Sequence, residues 1–201
     1  MSLLSPDWNQ SRPNYNEVRE MCRCIRLDAV ALPEEPFERF LSTIRESHSN
    51  GGAYLVAFDV GPDPVFDWYA SRNRLWDERL LESLMGHAAI RTALNELGIP
   101  ESPEIKRGFS MENQFALDGT LASILYHGGA YSQANGDGLS EHHLAVQVCN
   151  AMFGLRFGEV ICNFNGDPWT PWFGGVAWDI TAIVFDRRKR RLWILAVTDT
   201  D

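Results

Sequence analysis

The sequence predicts a single α+β domain with a largely antiparallel sheet of about four to six strands, a C-terminal β-hairpin, and four to five helices packed mainly on one side. Three observations predict it. Two apolar β-rich runs near the C-terminus flank a basic turn, which is a hairpin pattern. Several upstream segments repeat apolar residues at helical spacing. The composition, 45% hydrophobic and 22% charged over 201 residues, is that of a globular chain able to bury a full core.

Taken in order, residues 1–13 hold Pro6, Pro13 and scattered polar groups and read as an N-terminal arm, with the domain over 14–201. Asn14 or Asn16 caps an expected helix through about Asp28, with Val18, Met21, Cys22 and Ile25 on one face. Pro33 and Pro36 suit the first turn of a second helix running to about His48, where Phe37, Phe40, Leu41 and Ile44 form an apolar stripe. Tyr54–Val60 is β-rich and predicted as a strand, and Val65–Ala70 as its partner across a Pro-containing turn. Asp77 caps a long helix expected over Glu78–Leu97, stopped by Gly98 and Pro100.

Residues 101–119 give no clear pattern, and Thr120–His127 is read as a helix. A glycine-rich stretch leads to a helix over Glu141–Phe153, with Ser140 as its cap and Gly154 as its stop. Val160–Phe164 is a strand, and Val176–Phe185 and Leu192–Thr198 form the hairpin around Asp186–Arg191. Both hairpin strands are apolar at nearly every position, which places them centrally, with both faces covered.

Composition also bounds function. No apolar run reaches the roughly 20 residues that span a bilayer, and the first ten residues lack the pattern of a signal peptide. A cytoplasmic, membrane-free protein is expected. The net charge of -9 disfavours nonspecific binding to nucleic acid. Arg187, Arg188, Lys189, Arg190 and Arg191 oppose Asp199 and Asp201 in the last segment, a local +3 that leaves -12 on residues 1–186. The basic turn reads as a solubility device flanking sticky strands, with phosphate binding as its alternative.

Cys22 and Cys24 lack the spacing of a metal knuckle or redox motif, and Cys149 and Cys162 sit in apolar company. No metal site and no cofactor motif is read from the chain.

Three clusters could carry chemistry. The segment Tyr126–Leu144 holds His127, Asp137, His142 and His143 among glycines, residues able to supply a general base or a metal ligand. Adjacent histidines on a helix diverge by about 100 degrees, and neither a His-Glu-x-x-His helix nor a Gly-x-Ser-x-Gly elbow is present. The second cluster, Asn163–Asp179, contains Asp167 and places Trp169, Trp172, Phe173 and Trp178 on or beside a loop. Such rings suit a partner hot spot, or they pin the loop to the core. Asp59, Asp63 and Asp67, with Glu34, Glu35 and Glu38, read as a solvated acidic face. Thr198–Asp201 reads as a polar stop rather than a recognition tail.

The expected function is a non-catalytic acidic protein-binding module, such as an inhibitor or immunity-type partner of a basic protein. The alternative is a small hydrolase or transferase centred on His127 with His142 or His143, Asp137 and Asp167.

Overall fold

The computed structural model describes residues 2–131 and 136–200. Six strands form one sheet: β1 (Leu27–Val30), β2 (Gly52–Val60), β3 (Ser110–Glu112), β4 (Val160–Asn165), β5 (Ile180–Asp186) and β6 (Arg191–Thr198). Their order is β1-β2-β6-β5-β4-β3, and every neighbouring pair is antiparallel. The C-terminal hairpin therefore lies in the middle of the sheet, and the class is α+β as predicted.

The apolar character of β5 and β6 on both faces has a direct packing outcome. Ile183, Phe185, Leu192, Ile194 and Ala196 point into one core, while Ala182, Val184, Trp193, Leu195 and Val197 point into the other. Each core needs its own helical cover. The first is covered by α1 (Tyr15–Cys24), α3 (Pro64–Ser71), α4 (Leu80–Met85) and α5 (Ala88–Ala93). The second is covered by α2 (Phe37–Ser47), α6 (Leu117–His127) and α7 (Leu139–Phe153). Among the described residues seven α-helices thus divide between the faces, where four or five mainly on one side were expected.

Local chemistry explains the other departures. Asn14 and Glu17 form a capping box that starts α1. The helix ends at Cys24 rather than Asp28, because Leu27–Val30 pairs with β2 as an edge strand. Val65–Ala70 is helix α3 and not a strand. Asp63 accepts from the amides of Val65 and Phe66, and Pro64 occupies the first turn, so the N-terminal cap overrides the β-prone side chains.

The long helix expected over Glu78–Leu97 is broken. Glu78 and Arg79 are left-handed, with φ of 50° and 54°, and the chain divides into α4, α5 and flanking 3₁₀ turns. Ser140 lies inside the first turn of α7, and the carboxylate of Asp137 accepts from the amides of Leu139 and Ser140 in its place. Ser110–Glu112, in the segment without a clear pattern, forms the outer strand β3.

The N-terminal arm is docked along α3. Trp68 Nε1 donates to the carbonyl of Gln10 at 3.1 Å, and the Tyr69 hydroxyl to that of Pro13 at 2.6 Å. The Arg72 guanidinium sits over the rings of Trp8 and Trp68, 5.1 and 4.4 Å from their centroids. Among the described residues, no helix is long and apolar enough to cross a membrane.

Candidate functional site

The histidine-centred residues have separate partners. His127 is exposed at the end of α6, edge-to-face with Tyr126. His142 is exposed on α7, with Nε2 3.8 Å from Asp118 Oδ2, and His143 is exposed at the next position. Asp137 is engaged by the start of α7, and the Ser140 amide is the main cause holding its carboxyl below the usual range. Asp167 accepts from the Arg107 amide at 2.8 Å. Among the described residues no hydrogen bond joins any two of these five candidates. Residues 132–135 of the glycine-rich segment lie outside the described residues.

The aromatic loop packs inward. Trp169 and Phe173 are buried, and Trp169 Nε1 donates to Thr181 Oγ1 at 2.8 Å. Trp172 and Trp178 are half-buried, with Trp172 against Tyr54 and Phe173. Asp179, 2% exposed, holds the loop. Its Oδ1 accepts from the Thr198 hydroxyl and the Gly174 amide, and its Oδ2 from the amides of Gly175 and Val176.

Asp199 repeats this device, so the polar stop of the C-terminal strand is a buried one there. It is fully buried, accepting from the Asn50 amide at 3.0 Å and the Ala130 amide at 2.7 Å. His48 is also buried; that burial lowers its pKa, opposed by the Ile44 carbonyl and by Asp199.

The basic turn and part of the acidic face meet each other. Asp59 stands opposite Arg191 in the β2–β6 register, and the two form paired contacts of 2.9 and 3.2 Å. Arg190 reaches Asp67 at 2.7 Å, Arg188 pairs with Glu159, and Asp186 takes Arg156. Asp63 caps α3. Glu159, Asp67 and Asp59 thereby pair Arg188, Arg190 and Arg191 of the tip within the fold.

Charge also gathers around a cavity elsewhere. A cavity of about 560 Å³ opens between α1, the Asp77–Arg79 turn, α4, the start of α5 and residues 101–104. Arg19, Arg23, Arg79 and Arg91 line it, together with Glu82, Glu101 and Glu104, and Arg91 pairs with Glu101 at 3.4 Å. Arg19 and Arg23 are one helical turn apart on α1, so they share a face. The left-handed turn delivers Arg79, whose Nη2 donates to the Ile105 carbonyl at 2.7 Å. Arg91 Nε donates to the Ile99 carbonyl at 3.1 Å. Arg23 makes no side-chain hydrogen bond or ion pair among the described residues.

Glu82 is 6% exposed, and its Oε2 has no hydrogen-bond partner among the described residues. Arg79 Nε lies 3.8 Å from Oε1, beyond hydrogen-bond reach. Burial raises the Glu82 pKa, opposed by its own backbone amide and by Arg79. The backbone passes close at Gly108, where φ is +73° and a Cβ would stand 2.5 Å from Oε1.

Cys22 and His87, also in the lining, are already committed. Burial pushes the Cys22 thiol up to about 12, and its Sγ contacts the Leu80 carbonyl, so it is a poor nucleophile. His87 Nδ1 accepts from the Ala89 amide, and its ring also bonds the backbone of Ile25. Burial lowers its pKa and keeps it a neutral cap of α5. The arrangement suits electrostatic binding more than proton transfer.

Sequence reasoning missed this cavity. Two signals were present: the Arg19/Arg23 spacing, and Glu82 interrupting the apolar run Leu80–Met85. Among the described residues, no group of three or more His, Cys, Asp or Glu side chains is placed to hold a metal ion. The chain matches no protein-family model, and a search of curated proteins finds no match.

Proposed function

We propose that this chain is a non-catalytic binding protein whose ligand site is the arginine-lined cavity, and that the ligand is a small anionic molecule. The observation that carries this is the gathering of Arg19, Arg23, Arg79 and Arg91 around one concavity, where they outnumber Glu82, Glu101 and Glu104, in a chain of net charge -9. Guanidinium groups match carboxylate and phosphate geometry, and a cavity of several hundred Å³ suits a small ligand. The commitments of Cys22 and His87 support binding without turnover. A reducing, cytoplasmic setting suits the four free cysteines.

The test is thermal unfolding and calorimetric titration with pyrophosphate as the probe. Binding to the folded state raises the Tm with ligand concentration. The double substitution Arg19→Ala/Arg23→Ala, on exposed positions of α1, is expected to weaken binding by about tenfold or more. Arg39→Ala on α2 serves as the control and is expected to bind normally. No binding by the wild type, or equal binding by the double variant, defeats the proposal.

A basic protein partner is a second reading, in the inhibitor or immunity-type sense. It is supported by the internal pairing of the basic tip, which leaves exposed acidic groups such as Asp28, Glu34, Glu35 and Glu38 to set the surface field. Affinity purification from the native host should then recover a stoichiometric basic protein, released by salt. Recovery of none counts against it.

A further inference from the structure

We infer that Glu82 makes the cavity selective for small zwitterions, in which an ammonium group lies a short linker away from a carboxylate or phosphate. This rests on the anion-site reading above and deepens it. Buried polar atoms are almost always hydrogen-bonded, and a buried carboxylate without a partner is costly. Glu82 lines the cavity, is 6% exposed, and has an unpartnered Oε2. A ligand that offered the arginines only an anion would leave that carboxylate uncompensated and add a like charge beside it.

An ammonium group removes both penalties. It donates to the Glu82 carboxylate and balances its charge. The spacing sets the size of this unit, because Arg79 Nε and Glu82 Oε1 are only 3.8 Å apart. The ligand's cation and anion must therefore be separated by only a few bonds, as in an amino acid or a phosphorylated ethanolamine. The cavity of about 560 Å³ exceeds such a unit and leaves room for a further substituent.

A matched pair of probes tests this: phosphoethanolamine and ethyl phosphate, which differ by the ammonium group. Calorimetry on the full chain is expected to show at least about tenfold tighter binding of the aminated probe, the worth of one charge-assisted hydrogen bond. Glu82→Gln keeps the side-chain shape and removes the charge. Removing that like charge should strengthen ethyl phosphate binding and bring the preference to within about threefold, with a cooperative thermal transition confirming its fold.

Ethyl phosphate binding that depends on Arg19 and Arg23, with no preference for the amine in the wild type, would overturn the role of Glu82 and leave the anion site standing. A preference that survives in Glu82→Gln overturns it equally. Failure of ethyl phosphate, phosphoethanolamine and pyrophosphate all to bind the wild type overturns both proposals.

Discussion

Replacing Asp179 by Asn changes one oxygen to an amide and alters little in shape, yet it strikes the knot that ties the aromatic loop to the sheet. Each carboxylate oxygen serves two donors: Thr198 Oγ1 and the Gly174 amide on one, the Gly175 and Val176 amides on the other. Asparagine has a single acceptor oxygen, so at least two donors lose their partner and face an NH₂ group. A buried unsatisfied donor costs about 1–3 kcal/mol, which puts the substitution at about 2–6 kcal/mol. Against a typical domain stability of about 5–15 kcal/mol this is severe. For a chain of this size the Tm should fall by roughly 10 °C. Urea unfolding followed by tryptophan fluorescence measures it directly, since Trp169 and Trp172 ride on the same loop. A variant within about 1 kcal/mol of the wild type would refute the assignment of Asp179 as the loop's anchor.

Acid should weaken the fold through two histidines. Burial holds His48 and His87 below their ordinary value of 6.5, so below that pH the unfolded chain takes up protons that the folded chain refuses. Their stabilisation is complete above about pH 6.5 and is lost as pH falls through the folded values; Glu82, raised by burial, acts in the opposite direction. Urea midpoints should therefore fall between about pH 7 and about pH 5.5, and less steeply in His48→Gln; a flat profile contradicts this. Gly129→Ala should cost about 1–3 kcal/mol, because its Cβ would lie 2.1 Å from Asp199 Oδ2 and 2.5 Å from the Ser47 carbonyl. Gly119→Ala in α6, with nothing within 4 Å, is the control. Similar melting temperatures for these two variants would remove the steric argument.

The hairpin was legible because its pattern is local: two apolar runs and a polar turn specify strand, turn and burial together. Helix α2 was legible for the same reason, from the stripe Phe37, Phe40, Leu41 and Ile44, all buried. Helix α3 was misread although Asp63–Pro64 is a helix-start signal, because aromatic and β-branched residues follow it. The break at Glu78–Arg79 had no glycine or asparagine to mark it. The pairing of Asp59 with Arg191 spans 132 positions and depends on sheet register, which no local window contains. The cavity suffers from the same distance. Its arginines come from α1, the 3₁₀ turn and α5, and only the first two, four residues apart, could be seen as a pair.

The strand order has a kinetic consequence. β6 joins β2 to β5, so the two halves of the sheet share no edge until the last strand in the chain order has been placed. During synthesis β1 and β2 can pair, as can β3 with β4, but each pair exposes an unpaired border and an uncovered apolar face. Such pairings between distant segments fold slowly and leave aggregation-prone intermediates. Without the hairpin the two half-sheets stay unjoined, and its strands supply side chains to both cores.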